Sequence, residues 1–489
     1  MYHAVIFTGL DYGNRSFYRP IGAYRIRTEL ESQGYSVKVI DHFHNLTTEH
    51  IEQVFKKYVD SNTLWVGFST TFINTSILLA ERSKFFQDLK KQYNVPIVVG
   101  GAKAMVEFLP WADIFVTGYA DSATLAITDY LAGRSVSEPL WKDYKGKKIV
   151  DSNHQYDRKD LSNIGVTWKP EDHITSNQAL PMEIARGCIF NCAFCNFPLN
   201  NKSKFDYVRV KEDMYNEFMR NYEQFGTTYY WFMDDTYNDS MKKLELMHDV
   251  ITSLPFKIKF DTYIKPELLV RWPDQIDLLA ETGLIGASLG LETLNKDARQ
   301  AVQKGSNVQG VLDALSLMKS KNDGQIKIQC NMIVGLPHES AQSVKKSRDA
   351  LINNTDIDWW NWYALQIHSK EHHEYHSPID RDPGKYGYEV ADTSKMIRKN
   401  MVNDNIWITD WKNEHMNSKM AQLLAAKLRH LDQPYLKIAG WNCGSFASLG
   451  LDVEDHYNKH NGLLQSMPVE IMEQRKNELV NNYIQTEIM

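Results

Sequence analysis

The sequence contains little cysteine: there are five among 489 residues, and none of them precedes Cys188. So sparse and odd a count excludes a disulfide-stabilised scaffold. Basic residues are not in surplus either, because 55 Lys and Arg stand against 61 Asp and Glu, which gives a formal net charge of −6. Without a basic surplus the chain has no strong means of neutralising phosphates, and this argues against nucleic-acid binding as its main activity.

Long apolar runs are also missing. The longest uncharged stretch, 61–80, has Ser, Thr or Asn at nine of its twenty positions and is not typical of a membrane span. The first residues, MYHAVIF, lack the basic flank and small-residue cleavage site of a signal peptide. We therefore expect a cytoplasmic protein that does not associate with membranes. A hydrophobic fraction of 43% and a charged fraction of 24% are typical of a globular chain.

Residues 1–134 alternate short runs rich in Val and Ile with amphipathic helical segments. This alternation predicts an α/β domain with a doubly wound parallel sheet, whose ligands bind at the carboxyl ends of the strands. The predicted strands are Ala4–Thr8, Ser36–Ile40, Leu64–Phe68, Ile97–Val99 and Ile114–Val116, and the predicted helices are 20–34, 50–59, 75–92 and 122–131.

Small and polar residues follow three of these predicted strands. They are Ser69 and Thr70, then Gly100 and Gly101, and finally Gly118. Glycine lets a ligand approach the backbone closely, although any single glycine can equally serve a tight turn. Three such strand ends along one sheet edge predict a binding crevice.

A second alternation follows a polar stretch, 135–178, which we interpret as a linker between domains. Six strand-like runs separated by helical segments predict an open, partial (βα)6 barrel over 179–367, whereas a closed barrel would need eight units. The remaining residues, 368–489, are expected to form a mainly helical cap on this barrel, with helices at 414–431 and 468–484. The predicted barrel strands are Met182–Ala185, Tyr229–Met233, Lys257–Thr262, Gly286–Leu291, Ile326–Val334 and Trp359–Gln366.

Three of the five cysteines, Cys188, Cys192 and Cys195, lie within eight residues directly after the first barrel strand. Three thiolates at this spacing can hold a 4Fe–4S cluster and leave one iron without a protein ligand. A structural zinc site would need a fourth Cys or His, and the next histidine is His248. The other alternative, a buried trio of unrelated cysteines, is disfavoured because cysteine is so scarce elsewhere.

This CxxxCxxC loop resembles the signature of the radical S-adenosylmethionine (SAM) superfamily. The resemblance implies a 4Fe–4S cluster whose open iron is chelated by SAM, and reductive cleavage of SAM to a 5′-deoxyadenosyl radical. It also implies a one-electron reductant such as flavodoxin or ferredoxin. Phe194, just before the last cysteine, would lie against the adenine of SAM.

Three further segments resemble the same superfamily. The resemblance implies that Asp234 contacts the amino group of SAM, although an Asp there can also cap a helix. Glu292 would lie near the ribose or methionine, and Lys304 would pair with the SAM carboxylate. The alternative for Lys304 is an ordinary exposed lysine at a helix end.

Another stretch of the sequence resembles the element that flanks the adenine of SAM in this superfamily. It places Ile333 and Gly335 in the SAM site. His338 stands where relatives carry glycine, and Lys265 stands where relatives often carry arginine.

The order of the domains resembles enzymes with a cobalamin-binding domain ahead of a radical SAM barrel. The resemblance implies cobalamin at the strand ends 69–70, 100–101 and 118, and methyl transfer to an unactivated centre of a small-molecule or peptide substrate. GYAD at 118–121 replaces the usual GEGE. The Asp-x-His-x-x-Gly loop that supplies a histidine to cobalt is missing, so we expect no protein imidazole below the cobalt.

Two alternatives remain open. One is a radical SAM enzyme without functional cobalamin that catalyses a cyclisation or rearrangement, and the other is a non-catalytic corrinoid or redox sensor. A methylthiotransferase is disfavoured because its N-terminal domain would carry three further cysteines. Two spare cysteines, Cys330 and Cys443, are too few for a second cluster. Four histidines are expected to lie in a solvated loop rather than to bind a metal: His368, His372, His373 and His376. Most of the aromatic residues of the last barrel strand and the cap are expected to lie in the core: Trp359, Trp360, Trp362, Tyr363, Trp407, Trp411 and Trp441.

Overall fold

The structure is a computed structural model that describes residues 1–10, 16–73, 75–101, 106, 109–152, 161–162, 164–195, 207–368, 376–391, 409–451 and 469–489. These residues form two compact units. The first contains Met1–Ser176 and Val469–Met489, and the second contains the described residues from Asn177 to Leu451. No helix in the described ranges is long and apolar enough to cross a membrane. His372, His373, Trp407 and the side chain of Trp441 lie outside the described residues.

The first unit is built on a sheet whose strands follow the order β2-β1-β3-β4-β5-β7-β6. All neighbouring strands are parallel except β6 and β7. The prediction of a doubly wound parallel sheet is confirmed, because apolar strands buried on both faces require helices on both sides. The strands are β1 (Ala4–Phe7), β2 (Val37–Ile40), β3 (Trp65–Ser69), β4 (Ile97–Gly100), β5 (Ile114–Thr117), β6 (Lys142–Tyr144) and β7 (Lys147–Asp151).

The helices of this unit lie close to their predicted positions. The segment predicted as one helix over 75–92 is a π-helical turn, Thr75–Ala80, followed by a separate helix. The second helix begins at a capping box, because the Thr47 side chain accepts from the His50 backbone N–H. The helices are α1 (Ile21–Ser32), α2 (Thr48–Tyr58), α3 (Ser83–Tyr93) and α4 (Asp121–Leu131).

Part of the expected linker belongs to this sheet. Strands β6 and β7 form a hairpin whose two loop residues, Lys145 and Gly146, have φ of 50° and 75°. Positive φ at both loop positions is the geometry of a two-residue hairpin turn. The sequence did not predict this hairpin, because β6 is an edge strand with exposed polar side chains and so lacks a pattern of alternating apolar and polar residues.

The last helix, Val469–Tyr483, also belongs to the first unit rather than to a single C-terminal cap. The Tyr483 hydroxyl accepts a hydrogen bond from the Asp41 backbone N–H at 2.9 Å. Glu487 forms ion pairs with Lys38 and His173. These polar contacts at the end of β2 explain the difference, because a helix pattern alone does not indicate which core a helix packs on.

The second unit contains a six-stranded parallel sheet in the sequential order β13-β12-β11-β10-β9-β8. The prediction of a partial (βα)6 barrel is therefore confirmed. The first strand ends three residues earlier than predicted, so that residues 183–185 already belong to the loop that carries the cysteines. The strands are β8 (Leu180–Met182), β9 (Tyr229–Phe232), β10 (Lys259–Ile264), β11 (Leu284–Glu292), β12 (Lys327–Val334) and β13 (Trp359–Ala364).

Helices cover the outer face of this sheet, where side chains such as Leu289, Cys330 and Met332 are completely buried. Two short helices, at 266–271 and 296–301, are additional to those predicted. The helices are α5 (Lys211–Phe225), α6 (Met241–Thr252), α7 (Pro266–Arg271), α8 (Gln275–Glu281), α9 (Lys296–Ala301), α10 (Val308–Ser320), α11 (Ala341–Asn353), α12 (Pro378–Arg381), α13 (Ser418–Asp432) and α14 (Gly440–Ser448).

Two helices beyond the barrel strands pack on the sheet. Asp432, at the end of α13, accepts hydrogen bonds from the indole N–H groups of Trp360 and Trp362 at 2.6 and 2.7 Å. These two tryptophans are buried, as the sequence predicted for most of the aromatic residues here. At the other end of the barrel, α14 touches β11 at Gly440 and Gly286, whose backbones meet without intervening side chains.

We expect Gly440→Ala to destabilise the protein by about 1–3 kcal/mol. A Cβ at this position would lie 2.3 Å from the Gly286 Cα, so the helix would have to move away from the strand. The control is Gly22→Ala in α1, where no atom lies within 4 Å and alanine should stabilise by roughly 0.5–1 kcal/mol. Urea denaturation followed by circular dichroism measures both changes. A Gly440→Ala variant as stable as the wild type would show that the close approach is not needed.

Candidate functional site

The cysteine loop follows β8 and is fixed by backbone hydrogen bonds at both ends. The Ala193 N–H donates to the Val302 carbonyl at 3.3 Å, and the Ala193 carbonyl accepts from the Ile379 N–H at 2.9 Å. Gly187 begins the loop with φ of 73°, a conformation that glycine adopts without strain. The three cysteines of the loop are all half-buried, so their sulfur atoms can accept a shared ligand.

Asp234 at the end of β9 ties the start of this loop to the sheet. Its Oδ1 accepts from the backbone N–H groups of Ile184 and Ala185 at 3.0 and 3.1 Å. Its Oδ2 forms an ion pair of 2.6 Å with Lys243, and both side chains are almost completely buried. The described contacts of Asp234 are thus with the protein and position the loop. Its predicted contact with the amino group of SAM stays a prediction.

The neighbouring Asp235 was not singled out by the sequence pattern. Burial, together with the negative charge of Asp234, raises the pKa of Asp235 to about 7. Its charge also contributes to raising the pKa of Cys188, behind the larger effect of burial, which places it near the first cysteine. The only signal in the sequence that could have indicated Asp235 was its position directly beside Asp234.

Polar groups contact two of the cysteine sulfurs. The Sγ of Cys188 lies 3.3 Å from the Thr236 hydroxyl, and the Lys265 ammonium donates to the Sγ of Cys192 at 3.5 Å. Hydrogen bonds and positive charge at sulfur stabilise the thiolates that iron requires. Lys265, which stands where the resemblance predicts arginine, supplies this positive charge.

The chemistry of the three thiols fits a cluster better than a single ion. Within the described ranges, no three Cys, His, Asp or Glu side chains are arranged to hold one metal ion. A zinc site requires its ligands to converge on one centre, whereas each cysteine of a cubane cluster binds a different iron. The residues present therefore fit a 4Fe–4S cluster held by Cys188, Cys192 and Cys195.

A group of buried charges lies beside the loop. Lys304 donates to the Gly290 carbonyl at 2.8 Å and lies 3.5 Å from Glu292 and 4.0 Å from Glu267. Lys265 lies 3.6 Å from Glu267 and Arg299 also pairs with it. Three positive charges thus face two carboxylates. The surplus positive charge suits a bound carboxylate, such as that of SAM.

Lys304 is buried, so the alternative of an ordinary exposed lysine is wrong. Burial alone would lower its pKa, but the carboxylates of Glu267 and Glu292 raise the pKa of Lys304 above its ordinary value. Its Nζ lies 5.9 Å from the centre of the Phe194 ring, so the aromatic and the cation predicted for SAM are brought together. Glu267 follows Pro266 at the start of α7, and no sequence motif indicated it.

Glu292 adopts a left-handed conformation with φ of 66° although it is buried. Such a conformation costs about 1–3 kcal/mol for a residue other than glycine and is often found at functional sites. His338 has φ of 61°, a conformation that glycine, the residue expected here from the resemblance, adopts without strain.

Two further predicted SAM residues lie at the end of β12. Ile333 is half-buried on the inner face of the sheet. Gly335 has φ of 101°, and a Cβ there would lie 2.5 Å from the Trp411 ring. Glycine is therefore required at this position by protein packing. Its predicted contact with SAM stays a prediction.

The predicted cobalamin residues lie at the carboxyl ends of β3, β4 and β5 in the first unit. The Thr70 hydroxyl donates a hydrogen bond to the Gly100 carbonyl at 3.0 Å, so this side chain binds the neighbouring strand end. Gly101 has φ of 109°, and a Cβ there would lie 2.7 Å from the Thr71 backbone N. Gly100 differs, because its Cβ would meet only Val116 at 3.6 Å, an ordinary contact.

The remaining predicted residues of this edge complete a surface of small side chains. Ser69 is half-buried at the last position of β3, and Gly118 follows β5 with φ of 81°. The strand order β2-β1-β3-β4-β5 places the topological switch point between β1 and β3, where doubly wound sheets bind ligands. The edge thus fits a large ligand that needs close approach to the backbone.

A cavity of about 1490 Å³ lies at the opposite, amino-terminal ends of the barrel strands, lined by residues such as Tyr229, Gly283 and Lys327. The cysteines and the charged group are at the carboxyl ends. Active sites of βα barrels form at the carboxyl ends of the strands. The site is therefore assigned by its chemistry rather than by cavity size.

Comparison with known families agrees with this assignment. Residues 182–351, which include the cysteine loop and the charged group, match the Radical SAM superfamily. These residues form a radical SAM domain. The match begins at the end of β8 and continues into α11, so it covers most of the partial barrel.

Two curated relatives share sequence with this chain beyond the radical SAM domain. Anaerobic magnesium-protoporphyrin IX monomethyl ester cyclase of Cereibacter sphaeroides is 24% identical over 322 residues, which are 60% of this chain and 51% of the relative. Bacteriochlorophyllide d C-12(1)-methyltransferase of Chlorobaculum tepidum is 24% identical over 302 residues, 59% of this chain and 61% of the relative. The chain thus spans between about half and three fifths of these relatives.

A solved structure covers the whole fold. The radical S-adenosylmethionine methyltransferase TsrM from Kitasatospora setae aligns with a TM-score of 0.67 and 14% identity, over 98% of this chain and 100% of that chain. At this identity the likeness shows the fold. The α/β architecture predicted from the sequence, with a parallel sheet ahead of the radical SAM domain, is confirmed.

Replacing Cys188, Cys192 or Cys195 by Ala should abolish iron–sulfur cluster assembly, because no neighbouring thiol can replace the lost ligand. The control is Cys330→Ala on the outer face of β12, which should retain full iron content because that thiol is buried away from the loop. Iron and sulfide content and the absorption spectrum after anaerobic reconstitution provide the measurement. A Cys192→Ala protein that keeps four irons per chain would refute the assignment.

Lys304→Ala should weaken SAM binding about tenfold, or ~1.4 kcal/mol, because the SAM carboxylate would lose its cationic partner. The matched control is Lys296→Ala, an exposed lysine in the same region of the radical SAM domain. Equilibrium titration of the reconstituted protein with SAM measures the dissociation constants. If only Lys265→Ala weakens binding, the carboxylate is held by that residue instead.

Proposed function

We propose that the chain is a cytoplasmic, cobalamin-dependent radical SAM enzyme that transfers a methyl group to an unactivated centre of a small-molecule or peptide substrate. It would draw electrons from a one-electron donor such as flavodoxin or ferredoxin. The observation that carries the proposal is the sheet edge of the first unit. There the strand order and the small residues after β3, β4 and β5 leave space for a large ligand at Gly100.

Similar proteins support the cofactors of this proposal. The TsrM structure from Kitasatospora setae contains cobalamin and a [4Fe-4S] cluster. The Chlorobaculum tepidum relative is a methyltransferase. The TsrM structure aligns with 98% of this chain and the Chlorobaculum relative with 59% of it, and these similarities favour methyl transfer.

The residues of the site have separable tasks under this proposal. When bound, the cluster and SAM supply reductive cleavage of a carbon–sulfur bond. Cys188, Cys192 and Cys195 hold the cluster, and Lys265 places a positive charge 3.5 Å from the Cys192 sulfur. Lys304 holds the carboxylate of SAM, while burial of this charge strengthens the attraction.

A radical SAM cyclisation is the second candidate function. It is favoured by the Cereibacter sphaeroides relative, which is a cyclase. It would share the cluster and the SAM site and would differ in the step that the substrate undergoes. Cobalamin uptake followed by analysis of methylated products distinguishes this function from methyl transfer.

Gly100→Val should abolish cobalamin uptake while iron content stays at the wild-type level. A Cβ at this position would meet no protein atom closer than 3.6 Å, an ordinary contact, so we expect the added side chain to occupy ligand space rather than to disturb the sheet. The control is Gly384→Val in the second unit, an exposed position where a Cβ would meet only the Asp382 carboxylate at 3.8 Å. Absorption spectra of proteins produced with hydroxocobalamin provide the measurement. If the Gly100→Val variant took up as much cobalamin as the wild type, cobalamin would not bind at this edge of the sheet.

A further inference from the structure

The inner face of strands β10–β13 carries side chains that, apart from the predicted SAM residue Ile333, the SAM and cluster sites do not use. Strand register defines this face, because residues two apart on one strand point to the same side. Tyr263, Ser288, Gln329 and Trp359 form one row of paired positions. The next row towards the carboxyl ends contains Gly290, Asn331 and Asn361, followed by Ile333 and Tyr363.

This face is the one that meets the active site. A Cβ at Gly290 would lie 2.4 Å from the Glu292 carboxylate and 3.1 Å from the Lys304 ammonium. A Cβ at Gly290 would therefore point towards the charged group beside the cysteine loop. Side chains on this face are also more accessible than those on the outer face, since Tyr263 is 40% and Tyr363 48% exposed. A molecule that reaches the SAM site would contact them.

These rows contain no charged side chain. The charged residues of the same face lie at its two borders, with Asp261 and Lys327 on the amino-terminal side. Glu292 and Lys304 lie at the other border, next to the SAM site. Between the borders, all nine paired positions carry Gly, Ser, Asn, Gln, Ile, Tyr or Trp. A polar yet uncharged surface of this kind can bind amides and hydroxyls but cannot neutralise an ion.

One side chain on this face is buried with an unmet hydrogen-bonding atom. The Gln329 amide donates to the Ser288 hydroxyl at 2.7 Å, while its Oε1 has no hydrogen-bond partner in the described residues. Gln329 is 8% exposed, so water compensates this oxygen poorly. An unpaired buried acceptor costs about 1–3 kcal/mol, which a ligand donor would recover. Gln329 is thus built to receive an N–H or O–H group.

We propose that this inner face binds an uncharged, hydrogen-bonding part of the substrate, an amide or hydroxyl group, and that Gln329 determines this specificity. The inference deepens the proposed function, on which it rests. A carboxylate, phosphate or ammonium placed here would lose its hydration without gaining a counter-ion. Trp359 and Tyr363 flank the polar side chains on β13 and offer apolar ring faces to the same substrate.

The test measures how neutral and anionic reagents of matched size reach this face. Asn331→Cys places a thiol in the second row, and the probes are iodoacetamide and iodoacetate. Alkylation rates are measured anaerobically on protein that holds its cluster and SAM, and mass spectrometry locates the modified peptide. The control is Leu423→Cys on α13, a position that is 63% exposed. Dividing by the control ratio removes the intrinsic difference between the two reagents.

We expect the iodoacetamide-to-iodoacetate rate ratio at the new thiol to exceed the control ratio at least tenfold. Adding Gln329→Lys to the Asn331→Cys variant should bring the ratio back to the control value or below it, because the ammonium attracts iodoacetate. If Asn331→Cys fails to assemble a cluster, Ser288→Cys in the first row takes its place. A ratio equal to or below the control, or a thiol that reacts with neither reagent, would overturn the proposal.

The two measurements distinguish a failure of this inference from a failure of the proposed function. If cobalamin is not taken up but the ratio is raised, the methyl-transfer proposal fails and the neutral substrate surface stands. If cobalamin is taken up and the ratio equals that of the control, only the substrate inference fails.

Discussion

The buried ion pair between Lys243 and Asp234 is the contact on which the cysteine loop depends. Lys243 lies on α6, and Asp234 follows β9, so the pair joins the strand and the helix of the second βα unit. The other Asp234 oxygen binds the backbone N–H groups of Ile184 and Ala185 at the start of the cysteine loop. Removing one partner of a buried pair costs up to about 3–5 kcal/mol, and here Lys243 would keep the buried Asp239 as a second partner at 3.5 Å. The position of the three thiols is therefore set by groups that need not touch any cofactor.

The charged group around Lys304 is also held by ion pairs between buried side chains. Each of its members is close to an opposite charge, and its three cations outnumber its two carboxylates, although one of them, Lys265, also faces the Cys192 sulfur. A single isolated lysine in this position would lose its proton more readily, since burial disfavours the charged form. The carboxylates of Glu267 and Glu292 raise the pKa of Lys304 and so keep it charged before an anion binds. Glu267 thus matters to the site although no motif marks it.

The sequence predicted the architecture well because its signals were local and periodic. The apolar runs of both sheets and the spacing of Cys188, Cys192 and Cys195 can be read within short windows. The hairpin of β6 and β7 was missed because an exposed edge strand does not alternate apolar with polar residues. Asp235 and Glu267 were missed because their surroundings are assembled by tertiary packing. The positions of Lys304 beside Phe194 and of Gly335 against Trp411 likewise required the fold.

The terminal helix of the first unit has a consequence for the order in which the protein can mature on the ribosome. Its contacts with Asp41 and Lys38 join residues separated by 442 and 449 positions in the chain. The strands of the first unit leave the ribosome early, whereas the helix that packs beside β2 follows only after the entire second unit has been made. At synthesis rates of about 5–20 residues per second, the 313 residues after Ser176 take roughly 15–60 s. Throughout this interval the first unit exists without its last helix, so a chaperone that shields this surface would act during translation rather than after release.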